Sequence, residues 1–301
     1  MPYNKKMTET GENREEQAAS ASEDRIILFV HDASPKVIRA LLANHSITAE
    51  HVQIIAGRKN LPGEVLESII KDKRWADSYP IRLALARNPK TPLFAALSVA
   101  RYLRLFDQVE LTRNHFLPII FRRKLEAIIT EKFPAMPLGI KKTLAKIAAG
   151  DILLKLIQDG YPEVVSLCLS NPHLVEAHLY TVINRKTTTP GTIRTIAEHP
   201  AWSSRYNIKF ALIRNEHTPL ARSVFFLPDI LTRDLKDLYH DLSVPIGIKP
   251  SIHRELWERG EEPGEAGADE EKVFEIDEKE MDELENEVKG FGEETGAERD
   301  E

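Results

Sequence analysis

The single thiol of this 301-residue chain, Cys168, is the first candidate nucleophile. It stands in the apolar run Val164-Val-Ser-Leu-Cys-Leu169 with no histidine on the adjoining turn. That setting describes an inert buried thiol, since reactive cysteines sit in electropositive, partly exposed surroundings. One cysteine also excludes an intrachain disulfide and a zinc site built on thiolates. His173 and His178 are the next pair. Five residues apart, they fall on poorly matched faces of a helix and do not read as metal ligands. No HExxH, GxxxxGK[ST] or GxGxxG occurs. No cofactor or metal site is expected, and the chain is expected not to be an enzyme.

The chemistry that remains is charge. Residues 259–301 carry nineteen Asp or Glu against five Lys or Arg, a net charge of −14. Residues 1–24 carry −3, so the −6 of the whole chain leaves +11 on residues 25–258. A basic body joined to an acidic tail is therefore expected. Within the body, Arg101, Arg104, Arg113, Arg122, Arg123 and Lys124 crowd together, followed by Lys132, Lys141, Lys142 and Lys146. Arg58-Lys59 recurs as Arg185-Lys186. Bases that project in register along one surface could follow a phosphate backbone. The aromatic residues nearby, Tyr102, Phe106, Phe116 and Phe121, stand at the spacing of core positions.

Stepping 127 residues along the chain brings Tyr79-Pro-Ile-Arg-Leu-Ala-Leu-Ala-Arg-Asn-Pro-Lys-Thr-Pro-Leu93 onto Tyr206-Asn-Ile-Lys-Phe-Ala-Leu-Ile-Arg-Asn-Glu-His-Thr-Pro-Leu220, with nine of fifteen positions identical. The same offset pairs Asp32 with Asp159, Asn44 with Asn171, Trp75 with Trp202 and Asp107 with Asp234. Self-similarity on this scale predicts a repeat architecture. The duplicated Trp, Tyr, Arg87 and Arg214 positions accordingly read first as packing and capping residues. Apolar rhythms such as Val37, Ile38, Leu41, Leu42 and Val65, Leu66, Ile69, Ile70 are helical, and strand-type alternation is nearly absent. In Arg87-Asn88-Pro-Lys-Thr91-Pro92, Arg87 ends one helix and Asn88 is expected in the left-handed conformation. Thr91 is expected to cap the next helix, with Pro92 at its first position.

The recurring unit of an apolar run, Ala-Arg-Asn-Pro-x-Thr-Pro and a second apolar run resembles HEAT-like repeats of the leucine-rich-repeat-variant kind, found in uncharacterised bacterial proteins. The likeness covers most of residues 28–245. It implies an all-α solenoid of stacked short helices, in two similar halves at the 127-residue offset, and it implies no reaction. DNA glycosylases built from HEAT-like repeats are enzymes, but no pattern here carries their catalytic Asp to a position in this chain.

The organisation read from these patterns is a disordered leader at 1–24, a first half at 25–120 and connecting helices at 121–151. A second half at 152–258 and an acidic tail at 259–301 follow. Within the tail, Phe274, Met281, Leu284, Val288 and Phe291 would form one apolar stripe on a docking helix over 272–291, with acids on its other faces. Such a segment could dock on the basic body of its own chain. The functional expectation is a non-enzymatic scaffold that binds another macromolecule, a protein first. The alternative is a nucleic-acid-binding protein whose basic face the tail regulates. The candidate contact residues are Arg58, Lys59, Arg101, Arg104, Arg113, Arg122, Arg123, Lys124, Arg185 and Lys186. Without an apolar leader or a membrane-length span, a cytoplasmic protein is expected.

Overall fold

The computed structural model describes residues 13–262, and every regular element among them is a helix. None of these helices is long and apolar enough to cross a membrane. The chain divides into two compact units, with the boundary between Met136 and Pro137.

Unit 1 begins with a helix over residues 13–19 (α1). There follow α2 (Glu23–Val30), α3 (Pro35–Ala43), α4 (Ala49–Gly57), α5 (Gly63–Lys71), α6 (Tyr79–Arg87), α7 (Leu93–Ala100), α8 (Leu105–Arg113) and α9 (Ile119–Thr130). Each helix is short because its ends are written into the sequence. Prolines stand at or just before the first turn, as Pro35, Pro62, Pro92 and Pro118 do, where a missing N–H costs nothing. The helices then pack in two rows: α2 on α4, α4 on α6 and α6 on α8, and likewise α3 on α5, α5 on α7 and α7 on α9. Ile38, Leu41, Val65, Leu66, Leu85, Leu111 and Phe121 fill the space between the rows.

Unit 2 runs through α10 (Leu138–Ile147), α11 (Gly150–Gln158), α12 (Pro162–Leu169), α13 (Glu176–Ile183), α14 (Pro190–Glu198) and the single turn α15 (Pro200–Ser203). It ends with α16 (Tyr206–Ile213), α17 (Leu220–Phe226), α18 (Thr232–His240) and α19 (Lys249–Glu258). Here α10 packs on α12, α12 on α14, α11 on α13 and α13 on α16. Ile152, Leu156, Val164, Leu179, Ile193 and Ile208 lie in its core.

The joints between helices differ from the expectation. Asn88 is extended (φ −89°, ψ 117°), and no non-glycine residue among those described has a positive φ. An Asx turn ends the helix instead. Asn88 Oδ1 accepts the Lys90 N–H at 3.0 Å, while Nδ2 donates back to the carbonyls of Ala56 (2.7 Å) and Arg58 (2.8 Å). One side chain thereby turns the chain and satisfies the bare carbonyls of another helix end. Asn44 makes the same three bonds to Ser46, Ala18 and Ala21, and Asn171 makes them to His173, Ala145 and Ala148. Thr91 is not an N-cap. Its hydroxyl donates to the Leu85 carbonyl at 2.7 Å, as that of Thr218 does to Leu212 at 2.6 Å. Thr189, in another Thr-Pro joint, does act as an N-cap, accepting from the Thr192 N–H at the start of α14.

Two boundaries also move. Residues 13–19, expected in a disordered leader, are helical, with Ala18 and Ala21 buried and held by Asn44. Alanines supply little apolar area, but they allow close approach, and the Asn44 bonds hold their carbonyls. Residues 121–151 are not a separate connection: α9 packs on α7 and α8 in unit 1, while α10 packs on α11 and α12 in unit 2.

Candidate macromolecule-binding surface

Several side chains paired by the 127-residue offset are committed to contacts inside their own unit. The Tyr79 hydroxyl donates to Asp107 in the first turn of α8 and accepts the Arg104 N–H at 3.2 Å. The Tyr206 hydroxyl does the same with Asp234 and the Leu231 N–H at 3.3 Å. Burial first, and then the facing carboxylate, pushes both phenols up. Arg87 pairs with Glu110 through both carboxylate oxygens at 2.9 Å, and Arg214 pairs with Asp241 at 2.5 Å. The twin tryptophans are less alike. Trp202 is buried and donates to the Leu169 carbonyl at 2.8 Å, whereas Arg74 takes the corresponding Leu42 carbonyl at 2.5 Å beside the half-buried Trp75. Cys168 is fully buried, and desolvation pushes its thiol up to about 12. Among the described residues no group of three His, Cys, Asp or Glu stands close enough to hold a metal ion.

Unit 1 opens a cleft of about 500 Å³ between the outward faces of α7 and α9. The helical repeat places Phe94, Leu97, Ser98 and Arg101 along one wall, and Lys124, Ala127, Ile128 and Glu131 along the other. Tyr102 lies beyond the end of α7 and completes the lining. Phe94 is 80% exposed and Tyr102 is 70% exposed. Large aromatic side chains left in water beside one another are informative in a way that isolated ones are not. Cations attend both rings: Lys124 Nζ is 5.6 Å from the Phe94 centroid, and the Arg82 guanidinium is 5.3 Å from that of Tyr102. This arrangement can receive apolar anchors from a ligand while its rim attracts negative charge.

Unit 2 carries a different cleft, of about 530 Å³, where the joints after α13, α16 and α18 meet. Arg185, Lys186, Arg214, His217, Tyr180 and Ser243 are among its lining residues. It is a polar site, with three permanent cations and a hydroxyl set against Glu216 and the Asp241 partner of Arg214.

The candidate bases thus separate. Arg101 and Lys124 share the unit 1 cleft, and Arg185 and Lys186 share the unit 2 cleft. Arg58 is spent inside unit 1, its two terminal nitrogens donating at 2.6 Å to the carbonyls of Val30 and Asp32. Lys59 lies over the Phe116 ring at 5.0 Å, and Arg104 over Tyr79 at 5.0 Å. Arg122 is half-buried and reaches the Leu117 carbonyl at 3.3 Å. Arg113 ends α8, and Arg123 is exposed on α9. Lys141, counted with the basic run, is buried in an ion pair with Asp159. Phe274, Met281, Leu284, Val288 and Phe291 lie outside the described residues.

Core-like spacing misled the reading of the aromatics. Phe121 is buried, but Tyr102, Phe106 and Phe116 are exposed. Phe94 is exposed as well, and nothing in its own spacing marks it. The signal that finds it lies in the 127-residue offset, which sets Phe94, Tyr102 and Phe116 against Ala221, Asp229 and Ser243, while the core residue Phe121 meets Ile248. The chain matches no known family, no curated protein and no solved structure.

Proposed function

We propose that the protein is a non-enzymatic scaffold, a HEAT-like α-solenoid of two similar halves, that binds another macromolecule through the cleft between α7 and α9. The observation that carries this reading is the pair of exposed aromatics, Phe94 and Tyr102, attended by Lys124 and Arg82 and rimmed by Arg101. The two-row packing within each unit supports the solenoid. So do the contacts of Tyr79 and Tyr206, and of Asn44 and Asn171, which recur at the sequence offset. A protein is the partner that best uses such a surface, because aromatic residues and arginine concentrate binding energy at protein interfaces.

The same cations and open ring faces favour a second reading, a single-stranded nucleic acid stacked on the aromatics. Titration of the full-length protein with single-stranded and duplex oligonucleotides over a salt series separates the two. On duplex DNA, phosphate binding weakens with a log–log slope of about −0.9 for each phosphate neutralised. The protein reading expects no such binding, together with a stoichiometric protein partner that is lost on Phe94→Ala with Tyr102→Ala. A partner retained by that double variant at unchanged thermal stability would overturn the assignment of the cleft.

A further inference from the structure

The cleft in unit 2 is where the two units part company most sharply, and the differences all act in one direction. In unit 1, Arg58 Nε points at Asn60 Oδ1 (3.3 Å), and its terminal nitrogens are tied to the carbonyls of Val30 and Asp32. In unit 2, the Arg185 Nε keeps the equivalent bond, to Thr187 Oγ1 at 2.9 Å, but its terminal nitrogens have no partner among the described residues. Lys59 rests over Phe116, whereas its counterpart Lys186 has Ser243 at the offset position in place of a ring, and its ammonium is without a partner among the described residues. Unit 2 thus leaves one guanidinium fork and one ammonium without partners among the described residues, and Ser243 stands where unit 1 has the ring under Lys59. Asp241 neutralises Arg214, and Arg185 and Lys186 together outweigh the remaining carboxylate, Glu216, so the cleft keeps an excess of positive charge.

We propose that this cleft binds a phosphate monoester. The inference goes beyond the scaffold reading and does not depend on it. A planar carboxylate is satisfied by one guanidinium, whereas a tetrahedral dianion takes donors from several directions. Here the terminal nitrogens of Arg185, the Lys186 ammonium and the Ser243 hydroxyl line one cleft and offer that variety. The volume, about 530 Å³, falls in the range of small-ligand sites and exceeds what the phosphate alone needs. The exposed ring of Tyr180 offers an apolar surface for the organic part.

The test is calorimetric titration of the full-length protein with O-phosphoserine, adenosine 5′-monophosphate, inorganic phosphate and, as the carboxylate control, aspartate. Saturable binding of a phosphate monoester is expected, weaker for inorganic phosphate and weakest for aspartate. Phosphoserine or the nucleotide as the tighter ligand tells whether a phosphorylated peptide or a nucleotide is the source. Arg185→Ala removes a charge-assisted donor and should weaken binding about tenfold or more. Ser243→Phe installs the unit 1 residue and should abolish binding without altering charge. Lys59→Ala in unit 1 should leave binding unchanged. If Ser243→Phe lowers the melting temperature, Arg185→Ala and Lys186→Ala carry the test alone. No saturable binding by any phosphate ester, aspartate binding as tightly, or binding indifferent to the Arg185 and Lys186 variants would overturn the proposal. Loss of a macromolecular partner in the Phe94 and Tyr102 variant is a separate readout in unit 1, so the two readings fail independently.

Discussion

Units 1 and 2 use their matched asparagines and tyrosines alike, but they differ at a matched Arg-Lys pair and at the unmatched residues of their clefts. Asn44 and Asn171 bond inward to helix carbonyls, and Tyr79 and Tyr206 to aspartates, so at these matched positions the contact is preserved with the residue. Where the residue type differs, the residue tends to stand in water. Phe94 and Tyr102 line an aromatic cleft in unit 1, while unit 2 has Ala221 and Asp229 at those positions. Phe116 lies under Lys59 in unit 1, while Ser243 helps line a polar cleft in unit 2. Buried polar groups must keep their partners, because an orphaned one costs as much as the bond contributes or more. Surface positions carry no such constraint, so they are free to differ.

The comparison can be broken most forcefully at a charge. Lys141 is buried at 4% side-chain exposure against Asp159, whereas its counterpart Arg14 is 56% exposed against Asp32. Asp159→Ala strands a buried ammonium and should cost about 3 kcal/mol. Asp32→Ala leaves a solvated guanidinium and also frees the Ser34 N–H that Asp32 Oδ1 accepts at 2.8 Å, and should cost about 2 kcal/mol. Denaturant unfolding of the two variants checks this, and equal losses would mean that burial does not distinguish the pairs. Next in size, Asn44→Ala and Asn171→Ala each leave two carbonyls without their amide donor, for about 2 kcal/mol. Losses that differ between the two would show that the shared bonds are not shared in weight. Tyr79→Phe and Tyr206→Phe should each cost about 1 kcal/mol, read by thermal melts.

Acid should separate the units further. His178 and His199 are both in unit 2, and desolvation holds both below the ordinary histidine value. A depressed folded-state value means that the unfolded chain binds protons first. The stability that these residues contribute is therefore complete above about pH 6.5 and is lost as pH falls through that value toward the folded-state one. In unit 1 the Arg74 hydrogen bond holds Asp72 below the usual carboxylate range, so its contribution is lost only as pH falls below about 4. Hydrogen exchange followed from pH 7 to pH 5 should show unit 2 loosening first, and His199→Gln should reduce the difference. The smallest effect belongs to the exposed cleft: Phe94→Ala should change stability by no more than about 0.5 kcal/mol while removing partner binding.

Helices and their punctuation were legible because proline position and apolar rhythm act locally. Arg87 at the end of α6, Asp107 in the first turn of α8 and the capping Thr189 could all be read this way. The conformation of Asn88 could not. A left-handed turn was the local expectation, but its amide is claimed by carbonyls 30 and 32 residues back, a partnership no sequence window contains. The same distance hid the helix at 13–19, whose poorly apolar sequence is held by Asn44.

Taken by itself, the sequence determined that the chain is helical, where most joints fall and which positions repeat, since each follows from backbone preference or from comparing the chain with itself. Tertiary structure decided which bases are used up and which are available. Arg58 and Arg185 read identically along the chain, yet one is tied to two carbonyls and the other faces an open cleft. It also decided that Tyr102 and Phe116 face water while Phe121 fills the core. Burial depends on what packs against a residue, and neighbours on other helices, not the residue's own spacing, settle that.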